Sequence, residues 1–158
     1  MSDLVIASDD PRAPDVTALL QRHLEFARST TPPEFVFALD IDALVSPAIT
    51  FCSARRAGVL LGVGALKELD PVHGELKSMH TVAAARGQGI GAALVDHLVQ
   101  LARRRGYRRV SLETGSQDAF AAARALYAAA GFTTCGPFAD YPDSPSSVFM
   151  RRDLAPTG

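Results

Sequence analysis

Three glycines, Gly87, Gly89 and Gly91, stand within five residues directly after Arg86. Glycine lets the backbone come close to a ligand, because no side chain separates the ligand from the backbone N–H groups. A helical apolar pattern begins at Ile90, and the first turn of a helix adds unpaired amides and the positive end of the helix dipole. Such amides next to an arginine favour a phosphate or pyrophosphate group. The segment therefore predicts a site for a nucleotide-containing ligand that needs neither a lysine nor a metal.

Two motifs in the chain resemble the signatures of one enzyme family. Arg86-x-x-Gly89-x-Gly91 resembles the acetyl-coenzyme A (acetyl-CoA) binding signature of the GNAT-superfamily N-acetyltransferases. The run Ala-Leu-Tyr-Ala-Ala-Ala-Gly-Phe over 125–132 resembles the family's Leu-Tyr-x-x-x-Gly-Phe signature. Both occur in the family's order and separation. The resemblance implies an α/β (α+β mixed sheet) protein with the GNAT-like acyl-CoA N-acyltransferase fold, in the order βααβββαβαββ, as one domain over 1–158.

The resemblance also implies acetyl-CoA as the acetyl donor and no metal. It places the pyrophosphate of the donor on the glycine turn and the pantetheine arm along the strand that precedes the turn. The residues expected to contact the donor are Met79, His80, Thr81, Arg86, Gly87, Gln88, Gly89, Ile90, Gly91, Phe120, Ala123 and Tyr127. Many family members carry an asparagine seven residues before the tyrosine, where this chain has Phe120, so a polar contact with the arm is lost.

Moving an acetyl group from a thioester to an amine requires a base for the amine and an acid for the departing thiolate. By resemblance, Glu75 is the base and Tyr127 is the acid, while His80 and Glu113 remain alternative bases. A phenol with an ordinary pKa of about 10 suits a thiolate whose pKa is about 8.5. The resemblance assigns stabilisation of the carbonyl oxygen to a backbone amide around Met79 or His80. We expect direct transfer in a ternary complex, without an acyl-cysteine.

Apolar periodicity predicts the elements that position these residues. Strands are predicted over 4–7, 49–54, 59–69, 75–82, 108–113, 132–135 and 147–153, and helices over about 11–28, 34–44, 90–105 and 119–130. Strict alternation in the fourth strand places Leu76, Ser78 and His80 on one face and Glu75, Lys77, Met79 and Thr81 on the other. By resemblance, the stretch from Pro33 to Phe37 selects the acceptor.

The composition limits the kinds of binding partner that we expect. The 158 residues include 16 basic and 17 acidic side chains, a balance that speaks against general binding of nucleic acid. No apolar run reaches the length of a membrane span, and the first residues do not resemble a signal peptide, so we expect a cytoplasmic protein without a membrane partner. The expected acceptor is an amine of a small molecule, amino acid, peptide or protein. The resemblance also allows a homodimer.

Two other functions use the same glycine turn. Gly87-x-Gly89-x-x-Ala92 fits the loose fingerprint of a dinucleotide-dependent oxidoreductase, with Glu113 at about the expected distance. However, Ala83 to Arg86 separate the strand from the first glycine, and the chain leaves little room for a substrate domain. A non-catalytic acyl-CoA binding module would keep the turn and would not need Glu75 or Tyr127.

Overall fold

Seven strands form one mixed sheet in the order β1-β2-β3-β4-β5-β7-β6. The computed structural model describes residues 3–30 and 41–155. The elements are β1 (Leu4–Ser8), α1 (Pro14–Thr30), β2 (Ile49–Arg56), β3 (Val59–Asp70), β4 (His73–Thr81), α2 (Ile90–Arg104), β5 (Arg109–Gly115), α3 (Ala121–Ala129), β6 (Thr133–Cys135) and β7 (Ser147–Asp153). None of the helices in these ranges is both long and apolar enough to span a membrane.

The described elements follow the predicted order, but one predicted helix lies mostly outside the described residues. Most of the helix predicted from Glu34 to Leu44, and the whole of the acceptor-selecting stretch from Pro33 to Phe37, lie outside the described residues. The end of that segment is a short 3-10 helix, Ala43–Val45. The α/β fold with a mixed sheet is otherwise as predicted.

Two glycines of β3 bring α2 close to the sheet. A Cβ atom on Gly62 would lie 3.0 Å from Cγ2 of Ile90, and one on Gly64 would lie 2.6 Å from Sδ of Met79. A Cβ atom on Gly64 would also lie 3.1 Å from Cδ1 of Leu98 in α2, so a larger residue at either position would push the helix away from the sheet. The start of α2, which carries the glycine turn, is therefore held directly against the centre of the sheet.

The parallel strands β4 and β5 pair only at their beginnings. The register joins His73 to Arg109, Gly74 to Val110 and Glu75 to Ser111, and no further pair follows. Beyond Glu75 the two strands separate, which leaves backbone groups of the second half of β4 without a partner on that side. An opening through the sheet results.

A bulge interrupts β4 next to this opening. Ladder pairs flank Gly64 of β3 on both sides, yet two residues of β4, Ser78 and Met79, lie opposite that single glycine. Ser78 has a φ of 56°, in the left-handed region that residues other than glycine seldom adopt. Because a bulge adds one residue to one strand, it reverses the face on which the following side chains lie.

The bulge makes the predicted faces of β4 wrong. Glu75, Lys77 and His80 share the face that is covered by α1, and the His80 ring lies 4.7 Å from that of His23. Leu76, Met79 and Thr81 share the opposite face, towards α2. Alternation had joined His80 to Leu76 and Met79 to Glu75, because it assumed an uninterrupted strand.

An ion-pair cluster fastens β1 and α1 to β2. The Arg55 guanidinium lies 3.0 Å from Oδ2 of Asp9 and 2.7 Å from Oδ2 of Asp15. Burial alone would raise the pKa of Asp9, but the Ser53 hydroxyl, the next backbone amide and Arg55 together hold it below its ordinary value. The hydrogen bond from Arg55 likewise lowers the pKa of Asp15.

This cluster should make folding sensitive to acid. Because both folded-state pKa values are lowered, the stabilisation is complete above the unfolded value of about 4 and is lost as the pH falls through the lowered values. We expect Asp9→Asn to lower the melting temperature at pH 7 and to flatten its decline between pH 5 and 3. Thermal unfolding followed by circular dichroism measures both slopes. Asp3→Asn, at an exposed carboxylate, is the control that should keep the wild-type slope.

Candidate active site

A cavity of about 650 Å³ occupies the opening between β4 and β5. It is bordered by α1 on one side of the sheet and by the glycine turn and α3 on the other. The predicted site residues that line it are Glu75, Met79, His80, Thr81, Arg86, Gly87, Gly89, Ile90, Gly91, Phe120, Ala123 and Tyr127. Gln88, the remaining predicted residue, lies in the turn but outside this lining. Its side-chain nitrogen Nε2 donates to the Ala84 carbonyl oxygen at 3.4 Å.

The glycine turn has the backbone of an anion site. Gly87 and Gly89 have φ values of 79° and 80°, and a Cβ atom on either would meet no atom within 4 Å. These two glycines are therefore required by the backbone conformation rather than by a lack of space. Gly89 is the N-cap of α2, so the amides of the first helical turn point towards the turn. Arg86 is exposed and forms no ion pair within the described ranges.

The third glycine of the motif serves helix packing as well. A Cβ atom on Gly91 would lie 2.9 Å from Cδ2 of Leu126. Gly91 thereby lets α3 approach the start of α2, and this contact places Ala123 and Tyr127 along the cavity beside the turn. The glycine motif at the start of α2 therefore positions the Leu-Tyr motif of α3.

The position where the family has an asparagine holds an aromatic contact between α1 and the start of α3. Phe120 ends a short 3-10 helix, Asp118–Phe120, and its ring lies 5.3 Å from that of Phe26 in an edge-to-face arrangement. A Cβ atom on Gly115 would overlap the Phe120 ring, so the end of β5 needs glycine there. Both aromatic rings line the cavity, and sequence reasoning had not identified Phe26.

Tyr127 is 7% exposed and packs edge-to-face against Phe132, with ring centroids 6.2 Å apart. No described residue lies within hydrogen-bond distance of its hydroxyl group. Burial raises the pKa of Tyr127 above the ordinary value, and the nearby charge of Glu113 adds to the effect. The phenol is thus a weaker acid than the ordinary one assumed from the sequence.

Glu75 lies at the centre of a hydrogen-bonded cluster on the opposite face. Its side chain is only 3% exposed, and its Oε2 atom is 3.1 Å from Nζ of Lys77 and 2.5 Å from the hydroxyl oxygen of Tyr141. Lys77 also donates to the Tyr141 oxygen at 2.7 Å. The sequence had placed Glu75 and Lys77 on one face of β4, and the structure pairs them. The sequence did not predict the contact between Glu75 and Tyr141, because the strand residue and the loop residue are 66 positions apart.

Two histidines face each other where α1 meets β4. Burial lowers the pKa of His80 to about 4, and the charges of Arg86 and Arg22 and the neighbouring His23 contribute. Burial also lowers the pKa of His23. Both rings are therefore neutral near pH 7, and His80 is a weak base compared with an ordinary histidine.

Glu113 is the second carboxylate of the cavity. It lies on β5, and the alternation of that strand puts it opposite to the buried Leu112 and on the same face as Ser111, the partner of Glu75. Burial raises the pKa of Glu113, while the Ser147 hydroxyl and the charge of Lys77 lower it and the charge of Glu75 adds to the effect of burial. Within the described ranges, no three His, Cys, Asp or Glu side chains gather where they could hold a metal ion.

Comparison with known proteins assigns this architecture to a family. The sequence profile of the acetyltransferase (GNAT) family matches residues 14–132, and the chain belongs to this family. A Bacillus subtilis protein named as N-acetyltransferase YsnE is 46% identical over 149 residues, which cover 94% of this chain and 99% of that protein. Escherichia coli YedL, named likewise, is 43% identical over 149 residues, covering 94% of each chain.

A solved structure agrees with these relatives. A Klebsiella pneumoniae protein described as an acyl-CoA N-acyltransferase has a TM-score of 0.82 and 29% identity, covering 96% of this chain and 98% of that chain. The protein is an acetyl-CoA-dependent N-acetyltransferase. The family, the fold and the donor predicted from the two motifs are thereby confirmed, and the oxidoreductase and the non-catalytic binding module are not supported.

Proposed function

We propose that the protein transfers the acetyl group to a primary amine by direct attack within a ternary complex. The observation that carries this proposal is a single cavity that passes through the sheet, with a phosphate-type turn on one face and a carboxylate–tyrosine cluster on the other. Donor and acceptor can therefore approach the same point from opposite sides. Cys52 and Cys135 do not line the cavity, and burial raises the pKa of both thiols, which argues against an acyl-cysteine.

The donor is assigned to the face that carries α2 and α3. The pyrophosphate would be bound by amides of residues 87–91 and by the Arg86 side chain. The pantetheine arm would lie along the unpaired part of β4, at Met79 and Thr81, like an added strand. Phe120, Ala123 and Tyr127 would border the arm from α3, and the bulge at Ser78 offers the Met79 or His80 amide to the acetyl oxygen.

The proton of the amine is assigned to Glu75. Because its Oε2 atom already accepts a hydrogen bond from Tyr141, the proton would pass through that hydroxyl group. Tyr141 would donate its own proton to Glu75 while it accepts one from the nitrogen. The nitrogen forms a bond to the acetyl carbon, the carbon–sulfur bond breaks, and the thiolate takes the proton of Tyr127. The nitrogen of a neutral amine thus gives one proton to Glu75, and coenzyme A gains one from Tyr127. Return of the Glu75 proton through solvent to Tyr127 restores both residues, so free coenzyme A and the N-acetyl amine are the products. An acceptor that binds as an ammonium group releases one further proton to solvent.

Release of free thiol from acetyl-CoA tests the proposal directly. A panel of small amines, amino acids, amino-terminal peptides and lysine peptides would be incubated with protein and donor, and the acetylated product identified by mass spectrometry. We expect thiol release that depends on an amine and matches the acetylated product one to one. Thiol release without an acetylated amine, or an acetyl group found on either cysteine, would contradict direct transfer.

Arg86→Ala should weaken binding of the donor. Because Arg86 is exposed and unpaired, its contribution is that of one solvent-screened contact with phosphate, so we expect a dissociation constant about five- to tenfold higher. Isothermal titration calorimetry with coenzyme A measures the change. Arg104→Ala, at an exposed arginine of the far end of α2, is the matched control and should leave binding unchanged. Equal binding by both variants would remove Arg86 from the site.

A further inference from the structure

We propose that Glu113 binds the ammonium group of the acceptor, and that the acceptor is a primary amine with no carboxylate beside its nitrogen. This inference rests on the proposed function and narrows its substrate. It concerns binding, whereas Glu75 and Tyr127 were assigned to the movement of protons.

The described side chains that line the cavity leave one carboxylate without an ion-pair partner. The described residues of the lining include four charged side chains, Glu75, Lys77, Arg86 and Glu113. Lys77 is committed to Glu75, since both side chains are less than a tenth exposed and their charged atoms are 3.1 Å apart. Arg86 lies at the glycine turn, on the donor side. Among the residues that the structure describes, Glu113 forms no ion pair, so a negative charge remains on the acceptor side.

The other described groups near the acceptor side place no positive charge in the lining, since Arg22, whose charge acts on His80, is exposed and lies outside the lining. His23 and His80 have lowered pKa values and are neutral near pH 7. A cation stabilises a buried carboxylate more than a neutral hydroxyl group such as that of Ser147 does, so the charge of Glu113 favours a cationic ligand.

The position of Glu113 suits a nitrogen that is about to react. Glu113 pairs with Phe149 of β7, and the Phe149 ring lies 5.7 Å from that of Tyr141. Glu113, Tyr127 and Tyr141 line the same cavity, and the charge of Glu113 contributes to the raised pKa values of both tyrosines. An ammonium group held by Glu113 would therefore have the hydroxyl of Tyr141 beside it to take its proton.

A carboxylate next to the reacting nitrogen would be disfavoured at this place. It would lie near Glu113, and Lys77, the one lysine among the described residues of the lining, is already paired with Glu75. Juxtaposed like charges at a binding site cost several kcal/mol. The free α-amine of an amino acid should thus be a poor acceptor, whereas the corresponding amine without the carboxylate should be a good one.

Two matched pairs of acceptors test the inference: phenethylamine with phenylalanine, and n-pentylamine with norleucine. We expect kcat/KM with each amine to exceed that with its amino acid by about 100-fold. Glu113→Gln should raise KM for the amines by about tenfold or more with kcat within about threefold, and should bring the ratio within each pair close to one. Affinity for coenzyme A should not change.

Binding measurements keep the test independent of turnover. Isothermal titration of coenzyme A-loaded protein with each acceptor should show tighter binding of the amine by wild type than by Glu113→Gln. Equal affinity in the two proteins, equal use of both members of a pair, or a lowered kcat with unchanged KM would overturn the inference. If instead the amines bind as expected and no acetylated amine forms, the proposed function fails and the assignment of Glu113 stands.

Discussion

Glu75→Gln lowers kcat for acetyl transfer by about 100- to 1,000-fold, the range in which general base catalysis contributes. The amide side chain can still accept a hydrogen bond from Tyr141, but it cannot take up a proton. We expect KM for the amine to change little, because Glu113 binds the ammonium group. Steady-state thiol release measures kcat, and isothermal titration with coenzyme A shows that the donor site is intact.

A second variant separates proton transfer from folding, because Glu75→Gln also leaves the buried Lys77 without its counter-ion. Tyr141→Phe keeps that ion pair and removes the hydroxyl through which the proton passes, so its kcat should fall to a similar extent. The matched control is Glu68→Gln, since Glu68 accepts a hydrogen bond from Tyr107 at 2.9 Å outside the cavity. Wild-type kcat in Tyr141→Phe would show that the proton leaves by another path.

Tyr127→Phe should lower kcat by about 100-fold, because the thiolate would leave without a proton donor. The ring keeps its edge-to-face contact with Phe132, so folding and donor affinity should be retained. Burial and the charge of Glu113 raise the pKa of Tyr127, and the acid form therefore persists as the pH rises. In wild type, kcat should show no decline between pH 8 and 10 that is attributable to this group.

Tyr107→Phe is the control for that experiment. Tyr107 is also a buried tyrosine, but its hydroxyl donates to Glu68 and lies outside the cavity. We expect it to reduce stability by about 1 kcal/mol and to leave kcat unchanged. A donor analogue with a leaving group of much lower pKa should restore turnover in Tyr127→Phe more than in wild type. Equal rates for wild type and Tyr127→Phe with acetyl-CoA would remove the tyrosine from catalysis.

The sequence predicted the features that depend on local chemistry. The glycine turn could be predicted from residues 86–91, because a left-handed backbone and the start of a helix favour glycine at fixed positions. The order of the described strands and helices followed from apolar periodicity, since each element must bury one face. The cavity likewise collects the predicted residues of β4 and α3, which lie in these two local motifs.

The features that the sequence did not predict depend on contacts between distant segments. The bulge at Ser78 is not marked by a glycine in the sequence, and its one extra residue reverses the face predicted for His80. The bond between Glu75 and Tyr141 spans 66 positions, so no spacing rule could join them. His23 and Phe26 read as ordinary positions of an amphipathic helix, and only the folded sheet brings them to the cavity.

The bulge in β4 has a consequence for how this enzyme could diverge. It places His80 on the face proposed for the acceptor and Met79 on the face proposed for the donor, although the two residues are neighbours in the chain. The residues that would choose the acceptor thus come from α1, β5 and the Tyr141 loop, and those that would grip coenzyme A come from other segments. Substitutions in the acceptor-side residues can change the preferred acceptor while the coenzyme A-binding residues stay the same, so a new acceptor does not require a new donor site.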